Sequence, residues 1–299
     1  MFKKVALIVT ALLVGGAIWY LFIMPQDYMV RFQTKALPGT VNQIVKFWAG
    51  QKSNAHFEGQ NSLSDFTNTL ITNDTTLSFN WQIAPMNDSV SQVKVYVTDN
   101  ENSLKNRILI PFTSTDFENR SKSTVKEVYS LLKSHLSNFK TTIIGEAIIP
   151  EKYCACVSLK STQLEKVKGM MGHYSRLSDF IAKNGIKPDG RPLVEVVKWN
   201  TQNDSIVYNF CFPVLKTDSL PTSKEFVYKQ IKERKAIKAI YNGNYLTSDR
   251  AWYALVDYAN KNAIEVSKEP FEVFHTNPNM GGNELEWKAE IFMPLKAQK

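Results

Sequence analysis

Residues 5–26, VALIVTALLVGGAIWYLFIMPQ, form a 22-residue run without a charged side chain. A helix needs about 20 predominantly apolar residues to cross a hydrocarbon core, so this run is long enough to span one. Trp19 and Tyr20 lie toward its C-terminal end, where amphipathic rings suit a headgroup layer. A secretory signal would pair a shorter apolar region with a small-x-small cleavage site. Gly15-Gly16-Ala17 is a poor version of that site, and bulky residues follow it. The reading is an uncleaved single-pass anchor, with a cleaved signal as the alternative. Lys3, Lys4 and the amino terminus outweigh Asp27, Arg31 and Lys35 on the far side. The positive-inside rule then predicts a cytoplasmic N-terminus and soluble domains on the extracytoplasmic side.

The 299 residues suffice for two ordinary domains, and 43% hydrophobic content with 21% charge excludes a disordered or collagen-like chain. The formal charge of +8 is compatible with nucleic acid or an anionic surface. Its densest cluster is Lys229, Lys232, Arg234, Lys235 and Lys238, with Glu225 and Glu233 nearby. That suits a solvated linker or strand edge, and no DNA-reading module is recognisable, so no nucleic-acid partner is expected. His56, His135, His173 and His275 are dispersed, so neither a metal nor a cofactor is expected. Gly169 and Gly172 lack the Lys-Ser/Thr of a phosphate loop. Three cysteines cannot all pair within one chain, so no disulfide framework is read. Cys154, Cys156 and Cys211 are expected as small buried hydrophobes. Asn73, Asn87, Asn119 and Asn203 begin Asn-x-Ser/Thr triplets, which matter only in a glycosylating host.

After the apolar run, Tyr28 to Thr34 alternates as a strand does, and Val41, Ile44, Val45 and Trp48 fall at helical spacing. From about 54 to 112 the pattern is β, with Leu77–Ile83 and Val93–Val97 alternating and Asn87-Asp88 and Asn100–Asn102 as turns. Thr124-Val125-Lys126-Glu127 has the form of a capping box. Val125, Val128, Tyr129, Leu132, Leu136 and Phe139 would line one face of the helix that follows. Strand, short helix, antiparallel sheet and long helix make an α+β layout. That order, with Ala36-x-Pro38-x-x-Val41-x-x-x-Val45 at the first helix, resembles the START-like (SRPBCC, polyketide-cyclase-like) superfamily. The resemblance implies a curved sheet around the last helix, with an apolar cavity, over residues 27–145. The strand count is low for that family.

The second half repeats itself. Residues 153–216 and 235–296 share the order strand, helix, strand, strand. Leu177/Leu255, Phe180/Tyr258, Asn184/Asn262, Ile186/Ile264 and Pro192/Pro270 match at one offset of 78. The closing strands around Cys211 and Phe292 match at 81, the slip falling near Met280-Gly281-Gly282-Asn283. Two such units predict a pseudo-two-fold sheet with a cleft between its helices.

The second copy carries Tyr241-Asn242-Gly243-Asn244-Tyr245, Trp252-x-x-Leu255-x-x-Tyr258, Pro270-Phe271-Glu272-Val273-Phe274 and Trp287-x-x-Glu290-Ile291-x-x-Pro294. These resemble the GyrI-like effector-binding domain, over residues 150–299. The first copy lacks the Tyr-x-Gly-x-Tyr turn and has Asn209 where the second has Glu290. The resemblance implies a ligand pocket floored by Glu290, which seeks a counter-charge or a donor. Trp252, Tyr241 and Tyr245 would offer flat rings to an apolar or cationic ligand, and Asn209 a polar partner across the floor. Each has a plainer reading: a solvent-facing strand carboxylate, a helix core residue, a turn. Some members of the family are hydrolases of reactive drug-like electrophiles. In that alternative Glu290 is the catalytic base, provided that burial raises its pKa. A purely structural role in the envelope, with an unidentified protein partner, is the third possibility.

Overall fold

The computed structural model describes residues 2–72, 74–87 and 90–296. Asn73 of one triplet and Asp88 of one expected turn lie outside them. The chain divides into two compact units, Met1–Lys133 and Ser134–Lys299.

The N-terminal unit begins with the apolar run, helical over α1 (Phe2–Ile18) and a wider turn over Trp19–Ile23. The segment Lys3–Ile23 has a mean hydropathy of 2.3 and none of it is buried. By length and composition it fits a membrane span or a signal sequence. β1 (Tyr28–Thr34) and α2 (Pro38–Gly50) follow. Pro38 starts α2, where its missing N–H costs nothing. β2 (Ala55–Ser62), β3 (Asp65–Ile71), β4 (Thr76–Pro85) and β5 (Ser91–Asp99) complete an antiparallel sheet of order β1-β5-β4-β3-β2. Leu77, Phe79, Trp81, Val93, Val95 and Val97 alternate inward and are fully buried.

Two helices then differ from the expectation. α3 (Ser103–Leu109) occupies a stretch read as β. α4 (Asp116–Leu136) starts eight residues before the expected cap, so Thr124 is a buried interior residue. The cap is Thr115, whose Oγ1 accepts from the Glu118 backbone N–H at 3.1 Å. Phe139 lies beyond the helix, in β6. α4 meets β1: Tyr28 Oη donates to Glu118, and the Phe32 and Tyr129 rings lie 5.0 Å apart.

The C-terminal unit is one eight-stranded antiparallel sheet with two long helices. Its strands are β6 (Phe139–Ile149), β7 (Lys152–Thr162), β8 (Leu193–Asn200), β9 (Ser205–Pro213), β10 (Val227–Ile231), β11 (Arg234–Gly243), β12 (Phe271–Phe274) and β13 (Lys288–Pro294). Their order is β10-β7-β9-β8-β12-β13-β11-β6. β6 pairs with β11, so the chain joins this sheet from Phe139 onward, ahead of the boundary expected at 145–150. α5 (Lys166–Lys183) follows β7, and α6 (Arg250–Lys261) follows β11. Leu177 and Ile181 of α5 and Trp252, Leu255 and Ala259 of α6 share one core with Ala155, Val194, Phe210, Ala239 and Ile291. Both helices therefore cover the same face of the sheet. The opposite face holds a smaller cluster of Cys154, Cys156, Leu193, Cys211, Phe271 and Phe292.

Two local features of this unit are alike. Asn184 Nδ2 donates to the Phe180 carbonyl at 2.8 Å, and Asn262 Nδ2 to the Tyr258 carbonyl at the same distance. The bridge Pro188–Val214 is matched by Val266–Leu295.

The cysteines differ from the expectation. Cys156 and Cys211 face each other across β7 and β9 and form a disulfide, leaving only Cys154 free. An odd cysteine count excludes complete pairing, not one bond. The strand register that places these two side by side is not visible in the sequence.

Candidate functional site

A cavity of about 470 Å³ opens on the helix-covered side of the C-terminal sheet, within the size range of small-molecule sites. α5 supplies one wall through Val167, Met170, Met171 and Tyr174. The segments around 244–246 and 274–280, with Trp287, supply the other. The rings of Tyr245 and Phe274 are 4.8 Å apart, and those of Tyr245 and Trp287 5.9 Å. Tyr245 Oη donates to the Lys288 carbonyl at 2.8 Å and accepts from the Thr276 N–H at 3.1 Å. Trp287 Nε1 donates to the Gly281 carbonyl at 3.2 Å. These bonds fix the aromatic wall, while methionines give the facing wall freedom to adapt. Arg191 and His275 are also among its residues, the His275 ring turned toward Glu290, and among the described residues no carboxylate lines it.

Gly243 sets the turn leading into Tyr245. Its φ is +150°, and a Cβ there would meet Phe139 Cβ and Tyr241 Oη at 2.8 Å.

Behind this cavity lies a buried charged cluster. Lys166 Nζ donates to Glu272 Oε1 at 2.8 Å, Glu272 Oε2 at 2.7 Å and Ser248 Oγ at 2.7 Å. Trp252 Nε1 donates to Glu272 Oε1 at 2.7 Å, and Lys166 Nζ stands 4.7 Å from the centre of the Trp252 ring. Lys166 and Glu272 are both 0% exposed. A buried carboxylate needs such a complete set of donors. A second network joins Gln163 to Asp249 and Tyr253, both at 3.0 Å. Arg250 connects it to His135, donating from Nε to Nε2 at 3.1 Å. Burial, then the Arg250 charge, lower the His135 pKa to about 4, so the ring is a neutral acceptor near pH 7.

The five expected ligand contacts are placed on two faces. Tyr245 lines the cavity. Trp252 and Tyr241 are 0% exposed within the helix-side core. Trp252 binds Glu272, and Tyr241 Oη is hydrogen-bonded with Thr247 Oγ1 at 2.6 Å. Glu290 and Asn209 alternate with helix-side residues, so they belong to the opposite face. There Asn209 Nδ2 donates to Glu195 at 3.0 Å and its Oδ1 accepts from Ser158 at 2.7 Å.

Glu290 lies 3.0 Å from Lys238 Nζ, 3.4 Å from Lys288 Nζ and 3.5 Å from His275 Nε2. Burial alone would raise its pKa, but Lys238, His275 and Lys288 outweigh burial and hold it below the usual carboxylate range. A carboxylate so held is a weak base, the reverse of what the hydrolytic alternative requires.

Glu272 and Trp287 were visible in the sequence as parts of the family pattern. Lys166 was not: one lysine among many before a helix carries no local sign of burial. Among the described residues no group of three or more His, Cys, Asp or Glu is placed to hold a metal ion.

Residues 149–296 match the family model for the GyrI-like small molecule binding domain. The C-terminal half thus carries a GyrI-like small-molecule-binding domain. No protein of curated function matches the chain. Three similar solved structures are distant. The EcmrR–DNA complex is 14% identical, with a TM-score of 0.43, covering 64% of this chain and 76% of that one. SAV2435 bound to tetraphenylphosphonium is 11% identical, with a TM-score of 0.37, covering 53% and 94%. A hydrolase from Listeria innocua is 9% identical, with a TM-score of 0.34, covering 52% and 92%.

Proposed function

We propose that this protein is a membrane-anchored receptor for small, largely apolar molecules, bound between α5 and the Tyr245–Phe274–Trp287 wall. The GyrI-like domain at 149–296 supports the class of ligand. The observation that carries the site is the aromatic cavity itself, with most of its lining apolar and Arg191 among it. Because Arg191 lines it and, among the described residues, no carboxylate does, the fitting ligand is neutral or carries an anionic group. Lys166 neutralises Glu272 behind it, and three basic groups surround Glu290. A cationic ligand therefore finds no free carboxylate at either glutamate.

Residues 5–26 would hold the protein at the membrane. The Cys156–Cys211 disulfide supports an oxidising compartment for the C-terminal half, in keeping with an extracytoplasmic body. The two matched strand-helix-strand-strand segments read as a duplicated unit, each supplying one wall of the cleft. The N-terminal sheet, with α2 inserted after β1 and α4 closing the sequence order, supports a START-like scaffold.

The test is titration of the detergent-solubilised full chain with neutral, anionic and cationic naphthalene derivatives of equal size. Neutral and anionic compounds should bind, and Met171→Trp should block them by filling the cavity from a rim position that is 48% exposed. Tighter binding of the cationic compound, undiminished in Met171→Trp, would refute the assignment.

A further inference from the structure

In the N-terminal unit one helix is inside out. α3 buries Asn106 and Arg107, while Leu104 and Ile108 are 46% and 48% exposed and Phe112 just beyond is 86% exposed. A helix on a water-soluble domain does the opposite, turning its apolar stripe to the core. The inward face is polar because it serves two buried carboxylates. Arg107 Nε donates to Asp27 Oδ1 and Ser103 Oγ to the same atom, each at 2.6 Å. Asn106 Nδ2 donates to Asp99 Oδ2 at 2.9 Å. With those side chains committed inward, Leu104 and Ile108, one turn apart, are left facing out with Phe112.

The same arginine locates this face. Arg107 Nη1 donates to the carbonyls of Tyr20 and Leu21, both at 3.2 Å. These carbonyls belong to the last turns of the apolar helix, where backbone acceptors lack partners further along the chain. One guanidinium therefore fixes α3 beside the end of the apolar segment, level with Trp19 and Tyr20.

We propose that Leu104, Ile108 and Phe112 lie in the bilayer interface beside the anchor, as a second contact between the N-terminal unit and lipid. The inference rests on reading residues 5–26 as a membrane span. The occupant is lipid because the face sits where that span ends, and a large exposed apolar patch needs a non-aqueous neighbour. Lys105 can reach lipid phosphates from the same helix. Three side chains would bind a membrane weakly alone, but the anchor presents them at high effective concentration, so their effect is to fix the tilt of the unit.

The disulfide and the burial of Cys154 make an introduced cysteine the one thiol open to labelling. The full chain carrying Ile108→Cys, with an environment-sensitive dye, is reconstituted in phosphatidylethanolamine–phosphatidylglycerol vesicles containing a headgroup-level nitroxide lipid. Ser53→Cys, exposed in the turn after α2, is the reference. The dye at 108 should lose most of its fluorescence to the nitroxide lipid and resist aqueous iodide, while the dye at 53 does the reverse. Iodide quenching at 108 without lipid quenching would overturn the inference. Shielding from both quenchers would place a protein on this face and overturn it equally. Vesicle flotation separates the two levels: a chain that does not float refutes the anchor beneath the inference, whereas one that floats with an iodide-quenched dye refutes the inference alone.

Discussion

The two strand-helix-strand-strand segments of the C-terminal unit share a skeleton and differ in what they do with it. Each ends its helix on an asparagine bonded back to a carbonyl four residues earlier. Each closes on a matching isolated bridge. Yet the first segment contributes Met170, Met171 and Tyr174 to the cavity, while the second contributes Tyr245, Phe274 and Trp287. The first also carries the disulfide, where the strand pairing of the second sets Lys238 opposite Phe292. Similar local bonding thus accompanies different surfaces toward the cleft, one adaptable wall and one rigid wall.

The largest effect should come from cutting the charge pair that joins the segments. Lys166 starts α5 of the first, and Glu272 lies on β12 of the second. Lys166→Met should cost about 3–5 kcal/mol by leaving Glu272 buried and unpaired. Chemical denaturation measures this, and a double change with Glu272→Gln should recover part of the loss. Removing the disulfide by Cys156→Ala and Cys211→Ala opens a loop with a sequence separation of 55. It should cost up to about 4 kcal/mol, and reducing agent should reproduce the shift in the natural chain but not in the variant.

A smaller effect comes from His135. Its folded pKa of about 4 lies below the ordinary 6.5, so the unfolded chain binds more protons between those values. Stability on the order of 2–3 kcal/mol is therefore present above pH 6.5 and lost as pH falls toward 4. His135→Gln should flatten the pH dependence of Tm in that window. Smallest of all, Glu290→Gln should change ligand affinity by less than about twofold, because Glu290 faces away from the cavity. A tenfold loss would restore the glutamate-floored pocket implied by the family resemblance.

Much of this layout was legible in particular residues. The offset of 78 from Leu177/Leu255 to Asn184/Asn262 falls on α5 and α6 and on the residues that end them. Periodicity found α2, α4 and the β4–β5 pair. It misplaced the α4 cap because Thr115-x-x-Glu118 and Thr124-x-x-Glu127 are the same motif, and only tertiary burial decides between them. It missed α3 because a helix with its apolar side outward lacks the usual context. For the site, alternation shows that Glu290 and Ile291 face opposite ways, but not which face the helices cover. That choice separates Glu290 and Asn209 from Tyr245. The pairing of Lys166 with Glu272, 106 residues apart, has no local signature at all.

On this reading ligands enter the cavity between α5 and the Tyr245–Trp287 wall. Photo-crosslinking with a neutral aromatic diazirine, followed by peptide mapping of the full chain, tests it most directly. Adducts should fall within 167–174 and 274–287 and be suppressed in Met171→Trp. Adducts concentrated around Glu195, Lys229 and Lys238, on the opposite face, would contradict it.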